Sequence, residues 1–393
     1  MALVFMLAEL RLGRNDFDIF FSAAQDMKAQ VDIYSAEYFD GYHYYYSLLF
    51  ASFLALFPPE GLLIAKGLWM IVNFLILFRI WKISGEFFFE KKPNDCSVDW
   101  KIKLFGLVLF LITIRFIRAN LHFGQVTIFI FYLCLEGLRA IWNDKWWGGL
   151  LIGLGINIKL LPLVFIPYLL YRGKWKSSLI VIGSAILFFY LPLFWLRPYY
   201  WEEMFVSYLN LLHPSQDKHL LDVEEGSFHS LTTWISTLFH EAAREHNALE
   251  LRRHIADLPI EVVKVIILIA RVAIVSLTLL YLRGKLFSSK LDRKSLWFEW
   301  SWFFATIPLI FPHQQHYAFF MIFPALAFIV FKWWNGELSS PLKWLFSVIV
   351  VVFNLSILMG TFNGIYNHYK IITIAALFLL WVLWRVRPKK SYF

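Results

Sequence analysis

The sequence predicts an all-α polytopic membrane protein, and three observations carry that prediction. Hydrophobic residues make up 59% of the 393 positions and charged residues only 17%, a balance far from that of a soluble domain. The apolar residues gather in runs, and the short connectors between them hold most of the Lys and Arg. Trp and Tyr cluster at the run ends, as in Trp146-Trp147, Tyr199-Tyr200-Trp201 and Trp333-Trp334, where amphipathic rings favour the headgroup layer. The formal charge of +9 therefore reads as orientation in the bilayer, and no nucleic acid partner is expected. Cys96 and Cys134 are the two cysteines, which gives neither a disulfide framework nor a metal-ligand spacing.

Taken from the N-terminus, the stretch Ala2 to Ala8 is short against the roughly 20 residues a helix needs to cross a bilayer. The first span is expected to have lost its beginning. Further apolar segments read at about 61 to 82, 104 to 117, 125 to 142, 147 to 159, 160 to 171, 177 to 196, 262 to 283, 296 to 311, 317 to 332, 343 to 359 and 370 to 387, about twelve in all. Basic connectors at Lys91, Lys92, Lys101 and Lys103, at Arg139 and Lys145, at Arg172, Lys174 and Lys176, at Arg283 to Lys294, and at Lys332 and Lys343 face the cytoplasm by the positive-inside rule. So does the tail Arg385 to Lys390. The alternate connectors face outward: 10–60, 118–124, a turn near Lys159, the long 197–260, 312–316 and 360–369.

This orientation requires that Tyr44 to Phe57, stopped by Pro58-Pro59, lies against the outer leaflet without crossing. Ile19 to Gln30 has similar amphipathic spacing, so the first outer loop carries two juxtamembrane helices. In 197–260, Tyr200 to Leu212 and Thr232 to Leu251 read as helices. No segment is large enough to fold as a separate soluble domain, and residues 1–393 read as a single integral membrane domain.

The outward connectors hold the residues that carry chemistry. Asp16 and Asp18 follow the first apolar stretch and are either loop solvation or a base for chemistry at the membrane surface. Arg115 and Arg118 break the rule that short outward connectors avoid cations. They either snorkel into headgroups or bind an anionic lipid group. Lys159 repeats the pattern within Gly153-Leu154-Gly155-Ile156-Asn157-Ile158-Lys159, and three such cations on one face suit a phosphate or pyrophosphate. Gln125 offers an amide to sugar hydroxyls. In Pro312-His313-Gln314-Gln315-His316-Tyr317 the two histidines, three apart, fit one helical face that bonds a phosphate or shuttles a proton; the plainer reading is a polar turn. His213, His219 and His229 sit in the long outer loop, where solvated histidine is the default. Arg271 is a charge inside a span with no evident partner.

In that order, Asp16-Phe17-Asp18-Ile19-Phe20 with Ala23-Ala24 and Asp32-Ile33-Tyr34, then Gly124-Gln125-Val126, then Gly153 to Pro162, then Pro312 to Tyr317, the chain resembles glycosyltransferase family 87. These are the polyprenyl-phosphate-mannose-dependent mannosyltransferases of GT-C architecture. The chain departs from the family at Tyr44-Tyr45-Tyr46-Ser47, where members have Tyr-Pro-Pro, and at Gly226 to Leu231, where they have Gly-Asn-Gln-Ser-Leu.

The resemblance implies an inverting transfer of a hexose, mannose by the family name, from a polyprenyl phosphate sugar donor to a lipid or glycan acceptor. The expected place is the outer face of a bacterial inner (plasma) membrane, periplasmic or extracellular. Asp16 is then the catalytic base, since the family's acid precedes an x-x-aromatic step. Arg115, Arg118, Lys159, His313 and His316 bind the donor phosphate, and Asp18, Gln125, Gln315 and Tyr317 contact sugar or acceptor. Neither a metal nor another cofactor is expected, because a single lipid phosphate needs no cation to neutralise a diphosphate. The rival class is a transporter or flippase of a lipid-linked anion, which would call for deep charges and paired repeats. Arg271 is the only deep charge without a place at the outer edge, and no clear repeat is evident.

Overall fold

The computed structural model describes residues 15–89, 96–212, 221, 226–241, 249–359 and 363–389. The stretch Ala2 to Ala8, Lys91, Lys92, His213 and His219 lie outside them. The regular elements among the described residues are all helical, joined by one isolated antiparallel bridge between Phe228 and Gln315. Four helical stretches are long and apolar enough to cross a bilayer: Pro59–Phe88, Trp175–Phe194, Ile260–Tyr281 and His316–Trp334. Shorter apolar helices include Trp147–Ile158, Leu161–Tyr171 and Ile371–Arg385. The chain is a polytopic membrane protein.

The chain divides into two compact units, residues 1–80 with 119–213, and residues 81–118 with 214–393. In unit 1, α1 (Asp16–Lys28) buries Phe17, Ile19, Phe20, Phe21, Ala23, Ala24 and Met27 along one face and packs on the seven-residue α2 (Leu48–Leu54). The first part of α3 (Leu62–Phe88) and the last turn of α4 (Cys96–Phe123) also belong to this unit. They are followed by α5 (Thr127–Trp142), α6 (Trp147–Ile158), α7 (Phe165–Tyr171), α8 (Trp175–Tyr190) and α9 (Pro198–Leu211).

Helix α6 packs against both α5 and α8, and its glycines make that approach close. A Cβ at Gly149 would come within 2.7 Å of Ile180, and one at Gly153 within 2.9 Å of the Ala185 amide nitrogen. Helices in lipid gain no hydrophobic drive from meeting, so small residues that let backbones approach supply the contact.

Unit 2 holds the remainder of α3 and α4, then α10 (Leu231–Phe239), α11 (Ile260–Tyr281), α12 (Arg293–Ile310), α13 (Phe323–Trp334), α14 (Ser340–Met359), α15 (Asn363–His368) and α16 (Ile371–Arg385). Trp297, Trp300 and Phe298 of α12 are fully buried and meet Phe87, Phe88 and Phe328.

The structure corrects several expected boundaries. The acid pair is not loop: α1 starts at Asp16, because Asn15 caps it. The segment expected at 104 to 117 is a 28-residue helix ending at Phe123, so Arg115 and Arg118 sit within α4. The helix expected at Thr232 to Leu251 stops at Phe239, where His240 turns extended.

Candidate active site

The unit 1 site begins at the N-terminus of α1. The Asn15 side chain accepts the Phe17 N–H at 3.1 Å, while Asp18 accepts the Asn15 N–H at 2.7 Å, a reciprocal capping box. Lys66 of α3 donates to the same Asp18 oxygen at 2.7 Å, with both side chains nearly buried. Asp18 is thus engaged in fixing the helix start. Asp16 occupies the first helical position, where the helix dipole favours an anion, and its carboxylate accepts from the Gln125 amide. The Tyr46 hydroxyl donates to Gln125 Oε1 at 3.1 Å, which orients that amide. The Lys159 ammonium stands over the Tyr46 ring, 5.6 Å from its centre.

Local folding places each member. Helix α4 ends in a Schellman motif: Gln125 N–H bonds Asn120 O at 2.9 Å and Gly124 N–H bonds Leu121 O at 3.3 Å. Gly124 has φ +66°, and a Cβ there would lie 2.6 Å from Phe17 Cβ, so glycine is needed for both conformation and approach. Trp69 Nε1 donates to Gly124 O at 3.0 Å, and Asn15 Nδ2 to His122 O at 2.9 Å, tying the α4 terminus to α3 and α1. Tyr46 is held by Tyr34, whose hydroxyl donates to Tyr46 O at 3.0 Å, and by Phe20, 4.6 Å away edge to face. Lys159 leaves the end of α6 in extended conformation.

Electrostatics follow from this enclosure. Burial, then the nearby Asp16 carboxylate, pushes the Tyr46 phenol up, so it remains a donor. At the turn beyond α6, burial lowers the Lys159 ammonium to about 8, with Asp16 opposing the shift. A carboxylate, an amide, a phenol and a titratable ammonium therefore share one small region.

Unit 2 holds a second cluster of different character. Arg115 is buried and donates to Phe353 O at 2.9 Å and to Tyr366 Oη at 2.8 Å, its guanidinium 4.6 Å from the Tyr366 ring centre. His229 is fully buried; its N–H donates to Gln314 O at 2.8 Å and its carbonyl accepts from Thr373 Oγ1 at 2.5 Å. Burial drives its imidazole well below the ordinary 6.5, and the cations Lys370 and Arg115 and the His316 ring add to the shift while a side-chain hydrogen bond with Asn367 opposes it. Lys370 is buried in the left-handed region, φ +52°, and its ammonium donates to Gly226 O at 2.9 Å. The buried Gln314 Oε1 has no hydrogen-bond partner, a costly state in a dry interior.

The other expected site residues fall as follows. Arg118 is exposed on α4, one turn beyond buried Arg115, so the two cations do not share an environment. His313 and His316 do not share a helical face: His313 has φ +56° and packs its ring on Phe228 at 5.2 Å, whereas His316 opens the 3₁₀ turn His316–Ile322. Gln315 pairs with Phe228 through the backbone, and Tyr317 is buried. Arg271 has a partner after all, donating to Thr232 Oγ1 at 2.6 Å.

Sequence reasoning missed Tyr46, Lys66, His229 and Lys370. Lys370 carried a signal, being a cation next to an outward connector, the same anomaly that singled out Arg115. Among the described residues no group of three or more His, Cys, Asp or Glu is placed to hold a metal ion.

The description of glycosyltransferase family 87 matches residues 45–298, more than half of the chain. With the helical membrane architecture, this defines the class as a membrane glycosyltransferase, a transferase enzyme. The chain belongs to glycosyltransferase family 87. The matched span contains Tyr46, Lys66, Arg115, Arg118, Gln125, Lys159 and His229, while Asp16, His313 and His316 lie outside it. No curated protein and no solved structure matches the chain.

Proposed function

We propose that this glycosyltransferase moves a hexose, mannose by family resemblance, from a polyprenyl phosphate sugar to a lipid or glycan acceptor at the outer face of a bacterial inner membrane, with inversion. The observation that carries this reading is the placement of Asp16, directed by Gln125 and facing Lys159, while its neighbour Asp18 is occupied by Asn15 and Lys66. Asp16 takes the proton of the acceptor hydroxyl as that oxygen bonds to the anomeric carbon. The bond from this carbon to the phosphate oxygen breaks, and its electron pair leaves on the polyprenyl phosphate. Lys159 supplies positive charge to the departing phosphate, which counts most where water is scarce.

Arg115, Arg118, His313 and His316 remain proposed donor-phosphate ligands on the family resemblance alone. Gln125, first read as a sugar ligand, has its amide committed to Asp16 and Tyr46, so its proposed role is to orient the base. Asp18, first read as a sugar or acceptor contact, is likewise committed, to Asn15 and Lys66, while Gln315 and Tyr317 remain proposed contacts of sugar or acceptor.

The test is transfer from radiolabelled polyprenyl phosphate mannose to a crude lipid acceptor by purified protein in detergent. Transfer without a vesicle excludes a pure flippase. In Asp16→Asn, transfer is lost while donor binding persists; full turnover in this variant would place the base elsewhere.

A further inference from the structure

Unit 2 contains a cavity of about 650 Å³ that the proposed chemistry does not use. It is bounded by Thr237, His240 and Glu241 at the end of α10, by the segment from Leu249 to His254, and by His368 at the end of α15. The size falls in the range of roughly 300–1,000 Å³ usual for ligand sites, but such sites are mostly apolar, and this one is polar.

Its walls are tied together. Ile255 N–H donates to Leu238 O at 2.9 Å and Leu258 N–H to Phe239 O at 2.8 Å, holding the loop to α10. Glu241 N–H bonds Asp257 Oδ1 at 2.9 Å. On the other side Arg253 Nη1 donates to His368 O at 3.2 Å, the His368 ring bonds Leu251 O at 2.8 Å, and Tyr369 donates to Arg252 O at 3.3 Å. A site held in this way loses little entropy when it binds.

The lining chemistry narrows the occupant. Among the described residues the lining holds two guanidiniums, Arg252 and Arg253, and two carboxylates, Glu241 and Glu250, together with His240, His254, His368 and Thr237 and the leucines Leu249 and Leu251. An acyl chain would find apolar surface only at Leu249 and Leu251, and a free phosphate would meet as many anions as cations among the described lining residues. A neutral polyhydroxylated molecule can use both, giving hydroxyl protons to the carboxylates and accepting from the guanidiniums.

We propose that this cavity binds the neutral glycan head of the acceptor. The proposal rests on the transferase reading above and selects a glycan over a bare lipid as the acceptor's recognised part.

The test titrates purified full-length protein in detergent with three neutral trisaccharides, mannotriose, maltotriose and cellotriose, by saturation-transfer NMR and calorimetry. At least one should bind, and raising the salt should leave its affinity unmoved, as an uncharged ligand requires. Glu250→Gln and Arg252→Gln should each weaken binding about tenfold, the scale of one hydrogen bond to a charged group. In the transfer assay they should raise the acceptor KM by a similar factor and leave the donor KM unchanged. Absence of binding by all three sugars, displacement by inorganic phosphate, or equal binding by the variants overturns the proposal. Should the glycan bind but no transfer occur from any donor, the site stands and the transferase mechanism falls. Transfer without glycan binding gives the reverse.

Discussion

The polar clusters of the two units are each assembled from four distant stretches of chain, yet they pose opposite electrostatic problems. In unit 1, Asp16, Tyr46, Gln125 and Lys159 mix charge types, and the carboxylate opposes the loss of the ammonium's proton. In unit 2 the fixed charges acting on His229, Lys370 and Arg115, are of one sign, and the His316 ring adds to them when it is protonated. The first arrangement is suited to moving a proton, because each state of the acid has a neighbour to compensate it. The second lacks that balance around His229 and is suited to holding an anion, at a standing cost in the unliganded protein. The placement differs as well. The unit 1 residues Asp16, Gln125 and Lys159 sit at helix ends, where backbone geometry is fixed by caps, whereas unit 2 relies on turns with left-handed residues at His313 and Lys370.

Substitution within the acid pair tests this contrast most severely. Asp16→Asn should lower kcat by about 10² to 10⁴-fold, the usual worth of a positioned base. Asp18→Asn should instead lower thermal stability in detergent by an amount near one helix cap, about 1 kcal/mol, with a much smaller loss of kcat. Equal loss of kcat in both would remove the distinction between base and cap.

Next in size is the pH response of Lys159. Because its ammonium titrates at about 8, the part of donor affinity that depends on it should fall as pH rises through that value, roughly tenfold for each further unit once deprotonation dominates. Lys159→Arg keeps its charge and should flatten the profile; an unchanged profile would detach Lys159 from donor binding.

Gly124→Ala comes third. It forces a side chain into the left-handed region and against Phe17, and should cost about 1–3 kcal/mol of stability while displacing Gln125. A variant as stable and active as the parent would show that the α4 cap does not set the site.

The smallest effect concerns His229. Its folded-state imidazole titrates well below 6.5, so the unfolded chain binds the extra proton first as the solution is acidified. Stability is full above about pH 6.5 and is lost as pH falls through the interval down to the folded value. His229→Phe should reduce that acid sensitivity in a thermal melt series, and parent-like sensitivity would place its origin elsewhere.

Much of the helical layout was legible because apolar runs bounded by aromatic and basic residues leave few alternatives. What was not legible came from helix ends with mixed composition. Lys101 and Lys103 looked like connector, yet they extend α4 as exposed residues of one continuous helix. The helix expected to run on past Phe239 stops there, and Leu238 and Phe239 at the α10 end accept hydrogen bonds from Ile255 and Leu258 instead.

In the site, Asp16, Gln125 and Lys159 stood out through spacing and through charge in unexpected places. Tyr46 did not, because it is one of three consecutive tyrosines where the chain departs from the family pattern, and only the fold selects which hydroxyl meets Gln125. Lys66 was hidden inside an apolar run, and its partner Asp18 lies 48 residues earlier. His229 was assigned to solvent because its loop is long and polar, while the structure buries it completely.

The glycines of α6 have one further consequence. A Gly-rich run ending in lysine invites comparison with a loop that wraps phosphate, but here Gly149 and Gly153 face other helices, and a Cβ at Gly155 would meet nothing closer than Pro162 at 3.4 Å. Variation along this run should therefore sort by phenotype. Changes at 149 and 153 would reduce the yield of folded protein, alanine at 155 would pass almost unnoticed, and only position 159 would alter turnover in protein that accumulates normally.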